Sequence, residues 1–145
     1  MIKFEVFQLA DLSYFLPWES RDGLSLNDSE DIYRNPNNYG YTVRLDSNIL
    51  FIGGISIIRE GIGELFLHRS KYVKDDTKTF CRLAQMMVSN SFEDFKLRRL
   101  HSITKDSIKS TGKFAKFLGF KKESKMKNYF EDSDASLYVM FPEAG

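Results

Sequence analysis

The chain has 145 residues, 42% of them hydrophobic and 28% charged, with a formal net charge of +1. That size and balance suit one domain with a substantial core and leave no room for two. No apolar run approaches the roughly 20 residues that a bilayer span needs, and Met1-Ile2-Lys3-Phe4-Glu5 lacks a basic region followed by an apolar one. Neither membrane insertion nor export is therefore expected.

A single cysteine, Cys81, excludes an intramolecular disulfide and fits a reducing compartment. Its helical setting, Thr79-Phe80-Cys81-Arg82-Leu83, makes it a small buried residue rather than a nucleophile. The near-neutral total hides an uneven distribution. Residues 1–66 carry five basic and ten acidic side chains, a net of −5, and residues 96–127 carry eleven basic and two acidic, a net of +9. Such asymmetry fits solvated faces or an anionic partner.

Lys3 to Leu9 alternates as a first strand, with Phe4 and Val6 on one side. Asp11 can cap a short helix from Leu12 to Phe15 that stops near Pro17. A second helical turn through Ile32 and Tyr33 ends at Asn35-Pro36-Asn37-Asn38. Tyr41 to Leu45 reads as a strand, Asp46-Ser47-Asn48 as a hairpin turn, and Ile49 to Ile58 as a long strand. Gly53-Gly54 inside it marks either a bulge or a close backbone approach. Glu60-Gly61 then turns the chain into a fourth strand, Gly63 to His68.

Asp75 and Asp76 suit the start of a helix. Its apolar face carries Phe80, Leu83, Ala84, Met87 and Val88, continued by Phe92 and Phe95. Arg99 to Thr104 follows as a strand. A short helix over Lys109 to Leu118 directs Phe114, Phe117 and Leu118 to the core and ends at Gly119. Phe120 to Lys125 and Ser136 to Phe141 are two final strands joined by an acidic turn, Glu131 to Asp134. The spacing thus predicts β-α-α-β-β-β-α-β-α-β-β, with no internal repeat.

This order, together with the helix end Phe117-Leu118-Gly119-Phe120, resembles the GCN5-related N-acetyltransferase (GNAT) superfamily. The resemblance implies a single α/β domain over residues 1–145, with a mixed, mostly antiparallel sheet of six to seven strands flanked by helices. It also implies that the fourth and fifth strands splay, here just past Leu67. Shorter stretches resemble the small acetyltransferase-like proteins of short-tailed bacteriophages, some of them internal virion proteins. These are Arg21-Asp22 with Asp28 and Glu30, Ile52-Gly53-Gly54, Glu64-Leu65-Phe66-Leu67-His68-Arg69-Ser70, and Thr79-Phe80-Cys81-Arg82-Leu83. Such a protein would act in the host cytoplasm or the virion, with phage structural proteins as partners.

An acyl-CoA-dependent transferase needs free backbone N–H groups at a helix N-terminus for pyrophosphate, a base for the amine, and usually a donor for the departing thiolate. The resemblance places acetyl-CoA along Phe66, Leu67 and His68 for its pantetheine arm and against Val73, Lys74, Thr77 and Lys78 for its phosphates. An amine acceptor completes the reaction. Glu64, where some GNAT enzymes carry a catalytic glutamate, and His68, which titrates near neutrality, are the candidate bases. Strand parity sets Glu64, Phe66 and His68 on one face and Leu65 and Leu67 on the other.

Two departures from the superfamily pattern stand against this. The segment Arg69 to Lys78 lacks the glycines of the signature Gln/Arg-x-x-Gly-x-Gly/Ala and carries Asp75 and Asp76 where phosphates would lie. Like charges about 4 Å apart repel by roughly 1 kcal/mol even in water. The tyrosine that often precedes the Gly-Phe glycine by four residues is replaced by Ala115, with Tyr129 and Tyr138 as spatial substitutes. A non-catalytic virion or assembly protein on the same fold is the alternative.

There is no zinc-type Cys/His cluster, Walker loop or Rossmann fingerprint. His101, between Leu100 and Ser102, reads as a structural strand residue. The lysines from Lys105 to Lys127 are interleaved with aromatics at helical core spacing, so a nucleic-acid surface is not expected.

Overall fold

The computed structural model describes residues 2–6, 38–69 and 77–142. Within them lie seven strands: β1 (Ile2–Val6), β2 (Asn38–Leu45), β3 (Asn48–Arg59), β4 (Ile62–Arg69), β5 (Arg99–Lys105), β6 (Lys121–Phe130) and β7 (Ser133–Met140). The two described helices are α1 (Thr77–Asp94) and α2 (Lys109–Leu118). The strands form one sheet in the order β1-β2-β3-β4-β5-β7-β6. The β4–β5 pair is parallel, and β1–β2, β2–β3, β5–β7 and β6–β7 are antiparallel. This is the mixed, mostly antiparallel sheet that the resemblance implies. The expected helix at Leu12 to Phe15 and the turn through Ile32 and Tyr33 fall outside the described residues, as do Asp75 and Asp76.

The chain forms two compact units, Met1–Ser56 with Phe66–Ala84 and Ile57–Leu65 with Gln85–Gly145. The first is organised by β3. Its apolar, β-branched run is buried from Ile49 to Ile55, as expected of a strand covered on both faces. Asp46, at φ 57°, and Ser47 form a tight hairpin between β2 and β3, with Leu45 opposite Asn48. The register slips between Val43 and Arg44, so Leu50 is the extra residue of a bulge. Gly53 and Gly54 lie in unbroken strand opposite Tyr41 and Gly40. A Cβ on Gly54 would stand 2.8 Å from the Gly40 Cα and press directly on the Tyr39 carbonyl oxygen. Of the two explanations for the Gly-Gly pair, close backbone approach is therefore the correct one. Phe51 and Phe80 meet edge to face, 5.2 Å between centroids, beside buried Leu83 and Ala84. Cys81 is only half-buried, because the apolar face of α1 runs through Phe80 and Ala84 and leaves it at the margin.

The second unit carries the β4 start, the rest of α1, and everything after it. Met87, Val88 and Ser91 are buried on α1, and the Ser91 hydroxyl donates to the Val88 carbonyl at 2.6 Å. Helix α2 has the predicted bounds. It ends on Gly119, at φ 108°, with the Gly119 N–H donating to the Lys116 carbonyl and the Phe120 N–H to the Ala115 carbonyl, both 3.0 Å. That pair of bonds is a Schellman motif, which requires a left-handed residue at the helix end.

Its inward face differs from the expected one. Ala115 and Leu118 are buried, whereas Phe117 is 54% exposed and stacks on the half-buried Phe114. The face turns toward the small residues: Gly112 lies against the Tyr138 ring, where a Cβ would reach within 3.1 Å of the hydroxyl. Strand β6 also runs five residues beyond the expected end at Lys125, to Phe130, so the turn contracts to Glu131-Asp132. Lys105 closes that turn through Asp132 at 2.9 Å, and the Asn128 N–H donates to Asp134 at 2.8 Å.

Candidate functional site

The turn before β4 is tied to the head of β5. Gly61, at φ 80°, offers its carbonyl to the N–H groups of Arg98 (2.8 Å) and Arg99 (3.2 Å). The Arg98 guanidinium also donates to the Glu60 carbonyl at 2.9 Å. These bonds set the parallel register: Ile62 lies opposite Arg99, Gly63 opposite Leu100, and Glu64 opposite His101. The ladder comprises those three pairs, although β4 runs on to Arg69 and β5 to Lys105. The last of those pairs lies three residues before Leu67, just past which the resemblance implies that the strands splay.

Glu64 occupies the last rung. Its carboxylate is one-third exposed, with Oε1 3.8 Å from Nε2 of His101, whose side chain is 15% exposed. Burial pushes the Glu64 carboxyl above the usual glutamate value. Burial also pushes His101 below the usual histidine value; the Arg99 charge adds to this and the Glu123 charge partly offsets it. Arg99, two residues before His101 on the same face of β5, is held by both carboxylate oxygens of Glu123, one of them at 2.9 Å. The Nδ1 atom of His101 is buried and has no hydrogen-bond partner.

Among the other expected site residues, Phe66 is buried and Leu67 half-buried on β4, and His68 follows in the same strand. Thr77 is the first residue of α1 and Lys78 the exposed second. Val73 and Lys74 lie outside the described residues. Asp75 and Asp76, which carry the charge objection to phosphate, lie outside the described residues. Ala115 is buried, and Tyr138 packs under Gly112, buried as well. Tyr129 is exposed, edge-on to Phe130.

The residue that sequence reasoning missed is His101. As one strand residue among apolar neighbours it reads as structural. Only the parallel register, which depends on the Gly61 turn, brings it to Glu64.

No protein-family model matches the sequence, and no curated protein matches it. Solved structures do. The ribosomal-protein-S18-alanine N-acetyltransferase of Escherichia coli superposes with a TM-score of 0.76 at 14% identity, over 100% of this chain and 97% of that one. Spermidine N-acetyltransferase of Vibrio cholerae, in complex with CoA and spermine, gives 0.74 at 14% identity, over 97% and 95%. The ribosomal-protein-S5-alanine acetyltransferase of Vibrio fischeri gives 0.72 at 14% identity, over 99% and 94%. The fold is GNAT-like. Sequence identity this low carries the architecture alone.

Proposed function

We propose that the chain is an N-acyltransferase that moves an acetyl group from acetyl-CoA to a primary amine. The observation that carries this reading is Glu64, a half-buried carboxylate on the last β4–β5 rung of a fold shared with N-acetyltransferases. Glu64 accepts a proton from the acceptor's ammonium group, and its raised pKa makes it a stronger base for that step. The freed nitrogen lone pair forms the C–N bond at the thioester carbonyl. Collapse of the tetrahedral carbon breaks the C–S bond; the sulfur leaves with the electron pair and takes up the second proton, which the newly acylated nitrogen sheds. His68, four residues further along β4, is the second candidate for the amine proton. The β4 backbone from Phe66 to His68 grips pantetheine, and Val73, Lys74, Thr77 and Lys78 face the phosphates. The exposed Lys78 supports that assignment.

A thiol-release assay with acetyl-CoA, offering spermidine and a peptide with an N-terminal alanine as acceptors, tests the reading. Glu64→Gln should lower kcat by about 100-fold or more with little change in the KM for acetyl-CoA. Equal turnover in E64Q, or no turnover by the wild type with any amine, would contradict it.

Ala115 favours a second reading. The position at which the resemblance implies a tyrosine acid is filled by a buried methyl group, which suits a GNAT-fold binding protein without catalysis. The finer placement among the acetyltransferase-like proteins of short-tailed bacteriophages, in host cytoplasm or virion, rests on the short sequence stretches around Gly53, Glu64 and Phe80.

A further inference from the structure

We infer that His101 is a positioning residue for Glu64, presenting its Nε2–H to the carboxylate while remaining a neutral imidazole. The inference rests on the proposed role of Glu64 as the base. Three observations carry it. Glu64 and His101 are register partners on the last rung of the β4–β5 ladder, so the backbone itself fixes their approach. Nε2 faces Oε1 at 3.8 Å, and a movement of about 0.8 Å would bring the pair within hydrogen-bond range. Catalytic hydrogen bonds are often long before substrate arrives and tighten in the complex.

The third observation is the buried Nδ1 with no partner. A neutral histidine carries one proton. Placed on Nδ1, it would be a buried donor without an acceptor, and the Nε2 lone pair would face a carboxylate. Placed on Nε2, the N–H meets the carboxylate and the bare nitrogen is the buried one. The second arrangement is electrostatically favoured on both counts. The lowered pKa of His101 keeps it in that neutral form. The other charged groups on this face are Arg99, already held by Glu123, and Lys121, opposite Val139 where Val139 also faces His101.

The role makes a specific distinction between replacements. Glutamine can set an amide N–H near the position of Nε2, whereas leucine fills the space without a donor. The test uses the full chain with 13C-labelled glutamate, the Glu64 carboxyl signal being assigned by its loss in E64Q. In His101→Leu the Glu64 titration midpoint should rise by about half a pH unit or more, because a donor to the charged form is lost. In His101→Gln it should stay close to the wild-type value. In the wild type, 15N imidazole shifts should report the Nε2–H tautomer near neutral pH.

An unchanged Glu64 midpoint in folded H101L, or an Nδ1–H tautomer, would overturn the inference. Should H101L fail to fold, the tautomer and the H101Q midpoint still decide. In turnover, H101L should lose about 10-fold in kcat at unchanged KM for acetyl-CoA, and H101Q should recover most of it. Because the titration needs no turnover, an inactive wild type would sink the proposed function while the midpoints still judged the pairing.

Discussion

Strands β3 and β6 belong to one sheet and answer opposite demands. β3, Asn-Ile-Leu-Phe-Ile-Gly-Gly-Ile-Ser-Ile-Ile-Arg, is buried for seven consecutive residues, from Ile49 to Ile55. β6, Lys-Lys-Glu-Ser-Lys-Met-Lys-Asn-Tyr-Phe, ends the strand order and has no buried residue. The first is specified by packing: Phe51 meets Phe80, and Gly54 leaves room for the β2 backbone. The second is specified by hydrogen bonds and charge. Its lysines blunt an edge that would otherwise pair with another chain, and its register with β7 shifts twice without disturbing any core residue. Stability is thus concentrated in the apolar strand.

That contrast can be broken in order of size. Phe51→Ala should cost about 3–5 kcal/mol in denaturant unfolding, whereas Met126→Ala in β6 should cost about 0.5 kcal/mol or less. Comparable losses would abolish the distinction. Gly54→Ala is next, at about 3 kcal/mol, because the methyl group meets backbone atoms that cannot rotate aside. A smaller loss, of about 1–2 kcal/mol, is expected for Gly119→Ala, since an L-residue must adopt φ 108° beside the Met140 methyl group.

The smallest effect is at Glu64 and depends on pH. Its folded-state pKa is raised, so the stability it contributes is present below the ordinary glutamate value and lost as pH rises through the raised one. E64Q and wild type should therefore unfold alike near pH 3 and diverge at neutral pH, with E64Q the more stable. Wild type gaining on E64Q as pH rises would reverse the assigned cause.

The same contrast explains which elements are legible in the sequence. Where periodicity and burial coincide, as in β3, in the α1 face from Phe80 to Val88 and in the Lys109–Leu118 helix with its Gly119 stop, local pattern predicts local structure. Ring size suggests the core for Phe117, whereas the helix turns Ala115, Leu118 and Gly112 inward to sit close on the sheet. The full length of β6 was hidden because a strand without a buried face has no hydrophobic alternation to read. At the candidate site, Glu64 is singled out by the resemblance to GNAT enzymes, and strand parity adds only its face. His101 is not singled out, since its relation to Glu64 arises from a parallel register set by the Gly61 carbonyl.

Acetyl-CoA binding, followed by titration calorimetry together with the thermal shift, tests the central claim most directly. Saturable binding of one molecule per chain, a rise in melting temperature that grows with ligand concentration, and weaker binding by Lys78→Glu are the predicted results. Neither heat nor a thermal shift at millimolar ligand would leave a GNAT-like fold with no transferase built on it.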